Sequence, residues 1–191
     1  MKRFRILIIL VVVALGGVIG RQLAKPHEPL YKGKPLSLWL TKEYTNSNSG
    51  DDVETAVRLA GTNGIPALLR LLRAKDSALM RLAQRQHIIN VEHIPPEIGY
   101  YGASYAFGVL GTNAYTAVPE LVKIADDNIS PPSQTCAIES VGYVGLPTGE
   151  AVPALLRWGT NSNLRVRSWA RSSLERIDHD AAVKIKINNS P

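Results

Sequence analysis

Residues able to do metal or nucleophile chemistry are few in this chain, which holds four histidines and one cysteine. His87, Glu92 and His93 form its histidine cluster. Metal binding needs three or four converging ligands with further groups orienting them. Here the two histidines miss the i, i+4 spacing of one helix face, and no third stands nearby, so a solvated helix end is the simpler reading. Cys136 has no second cysteine to pair with. It stands in an apolar helical pattern, and no base or cation is close in sequence to activate it, which predicts a buried, inert thiol. There is no Gly-x-Ser-x-Gly elbow, Walker phosphate loop, dinucleotide fingerprint or His-Glu-x-x-His. Gly-Thr-Asn triplets begin at Gly61, Gly111 and Gly159. They have the look of phosphate loops, but each follows an aliphatic or aromatic helical residue and reads as a helix end. No catalytic residue, cofactor site or metal site is expected.

The framework around these residues is more legible. Of 191 residues, 45% are hydrophobic and 20% charged, an ordinary globular composition with room for one domain behind a leader. The formal charge is +6, and Lys2, Arg3 and Arg5 supply half of it. The remainder is too mild to argue for nucleic acid. Those three cations precede an uncharged apolar run, Ile6 to Ile19, bounded by Arg21 and Lys25. Residues 1–24 therefore read as a cleaved signal peptide or an uncleaved signal-anchor helix. The run suits a signal core and is short for a span, whereas Val18 and Gly20 make a weak cleavage site. In both cases the body is exported: membrane-anchored on the extracytoplasmic side, or secreted or periplasmic after cleavage.

Residues 25–50 read as a linker with a short helix. Lys25 to Pro35 carries three prolines and a glycine, Ser37 is placed to cap a helix containing Leu38, Trp39 and Leu40, and Trp39 is expected to pack on the body.

Residues 51–191 are repetitive. Ala56–Leu69, Ala106–Leu121 and Ser140–Leu155 share an apolar helical end, a glycine, a polar turn, then a proline and an aliphatic run. Gly111 to Gly145 and Pro119 to Pro153 each span 34 residues, a period in the range of stacked helical repeats. Gly61, Gly111 and Gly145 suit the left-handed residue after a helix, and Pro66, Pro119 and Pro153 the first turn of the next. Ala103, Ala106, Phe107 and Leu110 form one apolar stripe; Cys136, Ala137, Val141 and Val144 form another. A fourth unit starts near Asn161 with Val166, Ala170, Leu174 and Ile177, followed only by a short partner helix. Gly61 to Gly111 is 50 residues. The excess, 74–97, is an insertion in which Asp76 or Ser77 can cap a helix that Ile94-Pro95-Pro96 then breaks.

Val118-Pro119-Glu120-Leu121, Val152-Pro153-Ala154-Leu155-Leu156 and Asn163-Leu164-Arg165-Val166-Arg167 give the chain a resemblance to HEAT-repeat proteins. Tyr31–Leu40 is similar to a segment behind the leader of exported bacterial members. The resemblance implies an all-α, right-handed α-solenoid of about four HEAT-like helix pairs behind the N-terminal leader or anchor helix. It also implies a polar role for Arg167 between neighbouring units, and a surface that binds another protein. HEAT-like hydroxylases hold two irons on repeated His-Glu pairs; here His27-Glu28, in the linker, is the sole pair. A HEAT-like DNA glycosylase would use stacking residues such as Trp158 and Trp169 with an acid such as Asp126 or Asp127, but export removes its substrate.

The expectation is a noncatalytic scaffold or adaptor with a protein partner. Its contact residues are placed at Glu120, Lys123, Asp127 and Arg157 on the second helices and at Arg165, Arg167 and Arg171 in the last unit. The competing readings are a ligand- or metal-binding protein or enzyme using the 74–97 insertion, with His87 and His93, and a self-assembling structural protein using the incomplete last unit. Elemental analysis of the purified protein separates the first of these. No stoichiometric metal is expected; metal that disappears in a His87→Ala variant would establish the insertion as a ligand site.

Overall fold

A computed structural model describes residues 28–44, 50–75, 94–145 and 149–188. Residues 1–24, and the part of the insertion that holds Asp76, Ser77, His87, Glu92 and His93, lie outside the described residues, as does His27.

The described residues are mostly helical, all-α in class, and include one small hairpin. Strands β1 (Leu30–Tyr31) and β2 (Lys34–Pro35) pair antiparallel. Lys32 and Gly33 between them both have positive φ, 47° and 72°, as a two-residue primed turn demands. Helix α1 (Leu36–Leu38) follows at once and widens into a π-helical turn over Trp39–Glu43. Ser37 does not cap it. Pro35 is extended and the helix starts at Leu36, so Ser37 already lies in the first turn. Its own N–H donates to Glu28 Oε2 at 3.1 Å, so the cap is Glu28, a carboxylate at the positive end of a helix. Trp39 is buried, with its indole N–H on the Tyr31 carbonyl at 3.0 Å, and Leu36 and Leu40 are buried beside it.

Among the described residues eight further helices follow. They are α2 (Gly50–Ala60), α3 (Ile65–Leu72), α4 (Pro96–Leu110), α5 (Val118–Asp127), α6 (Pro131–Val144), α7 (Ala151–Gly159), α8 (Leu164–Ile177) and α9 (His179–Asn188); α2, α4, α6 and α8 are called first helices and the others second helices. Short 3-10 turns, Gly61–Gly64 and Gly111–Ala117, join α2 to α3 and α4 to α5. Gly111 has φ 52° and ψ −134°, a region open only to glycine, and Gly145 is left-handed at φ 70°. Pro66 and Pro119 open α3 and α5, where no backbone donor is lost. Ser130 and Asn163 cap α6 and α8 by accepting from the N–H of Ser133 and Arg165.

The closest packing runs along the first helices, α4 on α6 and α6 on α8, and from each second helix to the next first helix: α3 to α4, α5 to α6 and α7 to α8. Second helices touch one another only lightly. The stripes read from the sequence are the core: Ala103, Ala106, Phe107, Cys136, Ala137, Val141, Val144, Val166, Ala170 and Leu174 are all buried.

Two glycines set how near the elements come. A Cβ at Gly102 would lie 2.0 Å from the Leu40 carbonyl oxygen, so α4 touches the π-helical turn backbone to backbone. A Cβ at Gly142 would lie 2.6 Å from Ser173 Cβ, where α6 meets α8. Three buried hydroxyls in this layer are satisfied by carbonyls: Ser173 donates to Ile138 at 3.1 Å, Ser140 to Cys136 at 2.7 Å and Ser133 to Leu72 at 2.6 Å. Gly142→Val is expected to lower stability by about 1–3 kcal/mol through overpacking, read as a fall in thermal midpoint by circular dichroism. Gly102→Ala should act in the same direction although it adds only one methyl, because a backbone carbonyl blocks it.

Candidate functional site

The residues expected to contact a partner mostly hold the molecule together. Glu120 on α5 pairs with Arg73 on α3. Arg157 on α7 pairs with Asp126 on α5 at 2.7 Å, and the buried Trp158 donates its indole N–H to the same carboxylate at 2.9 Å. Glu28, already capping α1, pairs with Arg70 on α3. Successive second helices are thus tied by arginine–carboxylate pairs, each half-exposed and worth about 0–1 kcal/mol. Arg167 donates to the Asn161 carbonyl at 2.7 Å and Arg171 to the Gly159 carbonyl at 3.0 Å. Both satisfy carbonyls at the end of α7, where cations meet the negative pole of the helix. Lys123, Asp127 and Arg165 are exposed. Arg165 and Arg167 flank buried Val166 on opposite sides of α8. The seven residues therefore do not converge on one surface.

A different surface does converge, on the outer side of the first helices. A groove with a volume of about 380 Å³ is lined by Glu54 and Arg58 of α2, Tyr105, Gly108 and Val109 of α4, and Tyr143 of α6. Helical spacing explains it. Tyr101, Tyr105 and Gly108 fall at i, i+4 and i+7, opposite the buried Ala103–Ala106–Phe107–Leu110 stripe. Tyr44, just after the π-helical turn, meets the Tyr105 ring at a centroid distance of 5.5 Å. Tyr143 donates to Glu139 Oε1 at 2.9 Å, and Ser104 to Oε2 at 2.8 Å, so one carboxylate braces α4 against α6. The Arg176 guanidinium of α8 stacks over the Tyr143 ring at 4.4 Å. Arg58 pairs with Glu54 at 2.7 Å at the other end.

This surface gathers half-buried tyrosines and ordered charges around one groove. Among the described residues no group of three or more histidine, cysteine, aspartate or glutamate side chains could hold a metal ion. The signal was present in the sequence as tyrosines spaced four apart on α4. Its meaning depended on laying α2, α4 and α6 side by side.

Burial raises the phenols of Tyr44, Tyr105 and Tyr143 above the usual 10.0, with Glu54 adding to the effect at Tyr105 and Glu139 at Tyr44 and Tyr143. The fold thus prefers these three neutral. Their contribution to stability is complete below pH 10 and is lost as pH rises through the raised values. Absorbance titration at alkaline pH should show part of the tyrosine complement ionising late, with the thermal midpoint falling in the same window. Burial, then Glu139, pushes the Cys136 thiol up to about 12. Iodoacetamide at pH 8 is expected to leave the native thiol unmodified and to alkylate it after denaturation.

Comparison of the chain with protein-family models, with curated proteins and with solved structures gives no match.

Proposed function

We propose that this chain is a noncatalytic protein-interaction scaffold or adaptor. Its helix pairs make a short right-handed α-solenoid of about four HEAT-like units, and its N-terminal segment holds it at or outside the cytoplasmic membrane. The motifs at Val118–Leu121, Val152–Leu156 and Asn163–Arg167 support the HEAT-like reading, as does the side-by-side packing of α4, α6 and α8. The basic residues before the Ile6–Ile19 run support export. Among the described residues no helix is long and apolar enough to cross a membrane, so the attachment rests on the segment before Glu28. That segment joins the body at its first unit, where Glu28 is fixed by Arg70 and by the start of α1.

The observation that carries the binding role is the tyrosine-lined groove. It draws aromatic side chains from successive units onto one exposed face, the composition that interaction surfaces favour. Membrane-bound or free, such a module acts by presenting that face.

The test is photocrosslinking of the full-length chain in its native host, with a reactive amino acid in place of Tyr105 or of Lys123. Tyr105 should capture one recurrent, identifiable protein, and Lys123 on the second helices should not. Crosslinks confined to copies of the chain itself would favour self-assembly and overturn the adaptor reading. Recovery of the partner from Lys123 alone would move the contact to the second helices.

A further inference from the structure

We propose that α8 is a closed end of the helix stack: its outer face rejects a further helix, and with it a second copy of this chain, and stays in water. The proposal stands apart from the adaptor reading, because it concerns a face that reading does not use.

Register is the first observation. The C-caps of α4, α6 and α8 are Gly111, Gly145 and Asp178. Three positions before each stand Gly108, Gly142 and Glu175. The two glycines face the next first helix. A Cβ at Gly108 would meet the Tyr143 ring of α6, and one at Gly142 would lie 2.6 Å from Ser173 of α8. Seven positions before each cap stand Ser104, Ile138 and Arg171. Ser104 donates to Glu139 of α6, and the Ile138 carbonyl accepts from Ser173 of α8. Both α4 and α6 thus meet their successor through these two positions. On α8 the same positions hold a carboxylate and a guanidinium. The other end of the helix keeps this register, since the N-caps Ser130 and Asn163 stand 33 residues apart, as do Gly145 and Asp178.

The second observation is that this face is held in its polar form. Leu164, Arg167, Ser168, Arg171, Ser172 and Glu175 line a groove of about 350 Å³ along α8. Arg167 and Arg171 are fixed by their bonds to the Asn161 and Gly159 carbonyls. A helix laid on α8 would have to pull both arginines off the end of α7, or bury their charge together with that of Glu175. Either course costs more than it gains unless the newcomer supplies matched charges in good geometry. Leu164 is the apolar member of the six, and a single exposed leucine is ordinary on a protein surface.

The physical need for such an end is general. Each unit of a stack buries its faces on its neighbours, so an end unit with an apolar outer face would recruit another copy. A head-to-tail contact of that kind does not close on itself and grows into filaments.

The test uses the full-length chain in lipid nanodiscs, one chain per disc, with mass read by sedimentation. The natural chain should keep one mass over about a hundredfold range of concentration. Arg171→Leu with Glu175→Leu removes both charges and leaves an apolar stripe with Leu164; its mass should rise about twofold with concentration. Ser168→Leu with Glu175→Leu keeps Arg171 on its carbonyl and should behave alike, which guards against loss of fold in the first variant. Lys123→Leu with Asp127→Leu, on α5, should stay at one mass. Unchanged mass in both α8 variants, or an equal rise in the α5 variant, overturns the proposal. So does association of the natural chain that Ser168→Arg abolishes; association that Ser168→Arg leaves intact runs through another surface, as the proposal requires.

Discussion

Two places without side chains govern this structure. At Gly102 the backbone of α4 rests on the Leu40 carbonyl, and at Gly142 α6 rests on Ser173 of α8. Interiors are packed near crystal density, so contacts this close leave little freedom in how neighbours sit. They fix how α4 sits on the π-helical turn and how α6 sits on α8. Phe107, Val141 and Leu174 fill the layer beneath. The hydroxyls of Ser133, Ser140 and Ser173 lie buried there at little cost because each donates to a carbonyl.

The N-terminal stretch is part of this arrangement. Glu28 supplies the missing cap of α1 and pairs with Arg70, while Trp39, Leu36 and Leu40 enter the core. A stretch rich in proline and lysine would read as a spacer from composition. It is ordered because it carries those apolar residues in a compact hairpin-and-turn unit.

Local determinants were the legible ones. Gly111 and Gly145 punctuate helices through their own φ angles, Pro66 and Pro119 through their own missing donors, and Asn163 through its own side chain, so each can be read without knowing its neighbours. The apolar stripes were readable for the same reason. Relations between units were not. An arginine on a helix can face water, pair with a carboxylate or close a helix end; Arg157 does the second and Arg167 and Arg171 the third, because α5 and the end of α7 happen to lie within reach. Ser37 failed as a cap for a subtler reason: the helix starts at Leu36, right after extended Pro35 and two residues earlier than a Ser37 cap requires. The tyrosine groove was hidden in the same way, since Tyr105 and Tyr143 are 38 positions apart and only helix packing makes them neighbours.

The two sides of the molecule are joined by different kinds of bond. α6 meets α8, and α4 meets the π-helical turn, through short, steep steric contacts at glycine, whereas second helices are linked by Arg73–Glu120 and Asp126–Arg157, partly exposed and screened by salt. Steric contact resists compression sharply; a solvated ion pair stretches for little energy. Raising the ionic strength therefore weakens the ties between second helices and leaves the glycine contacts on the other side untouched.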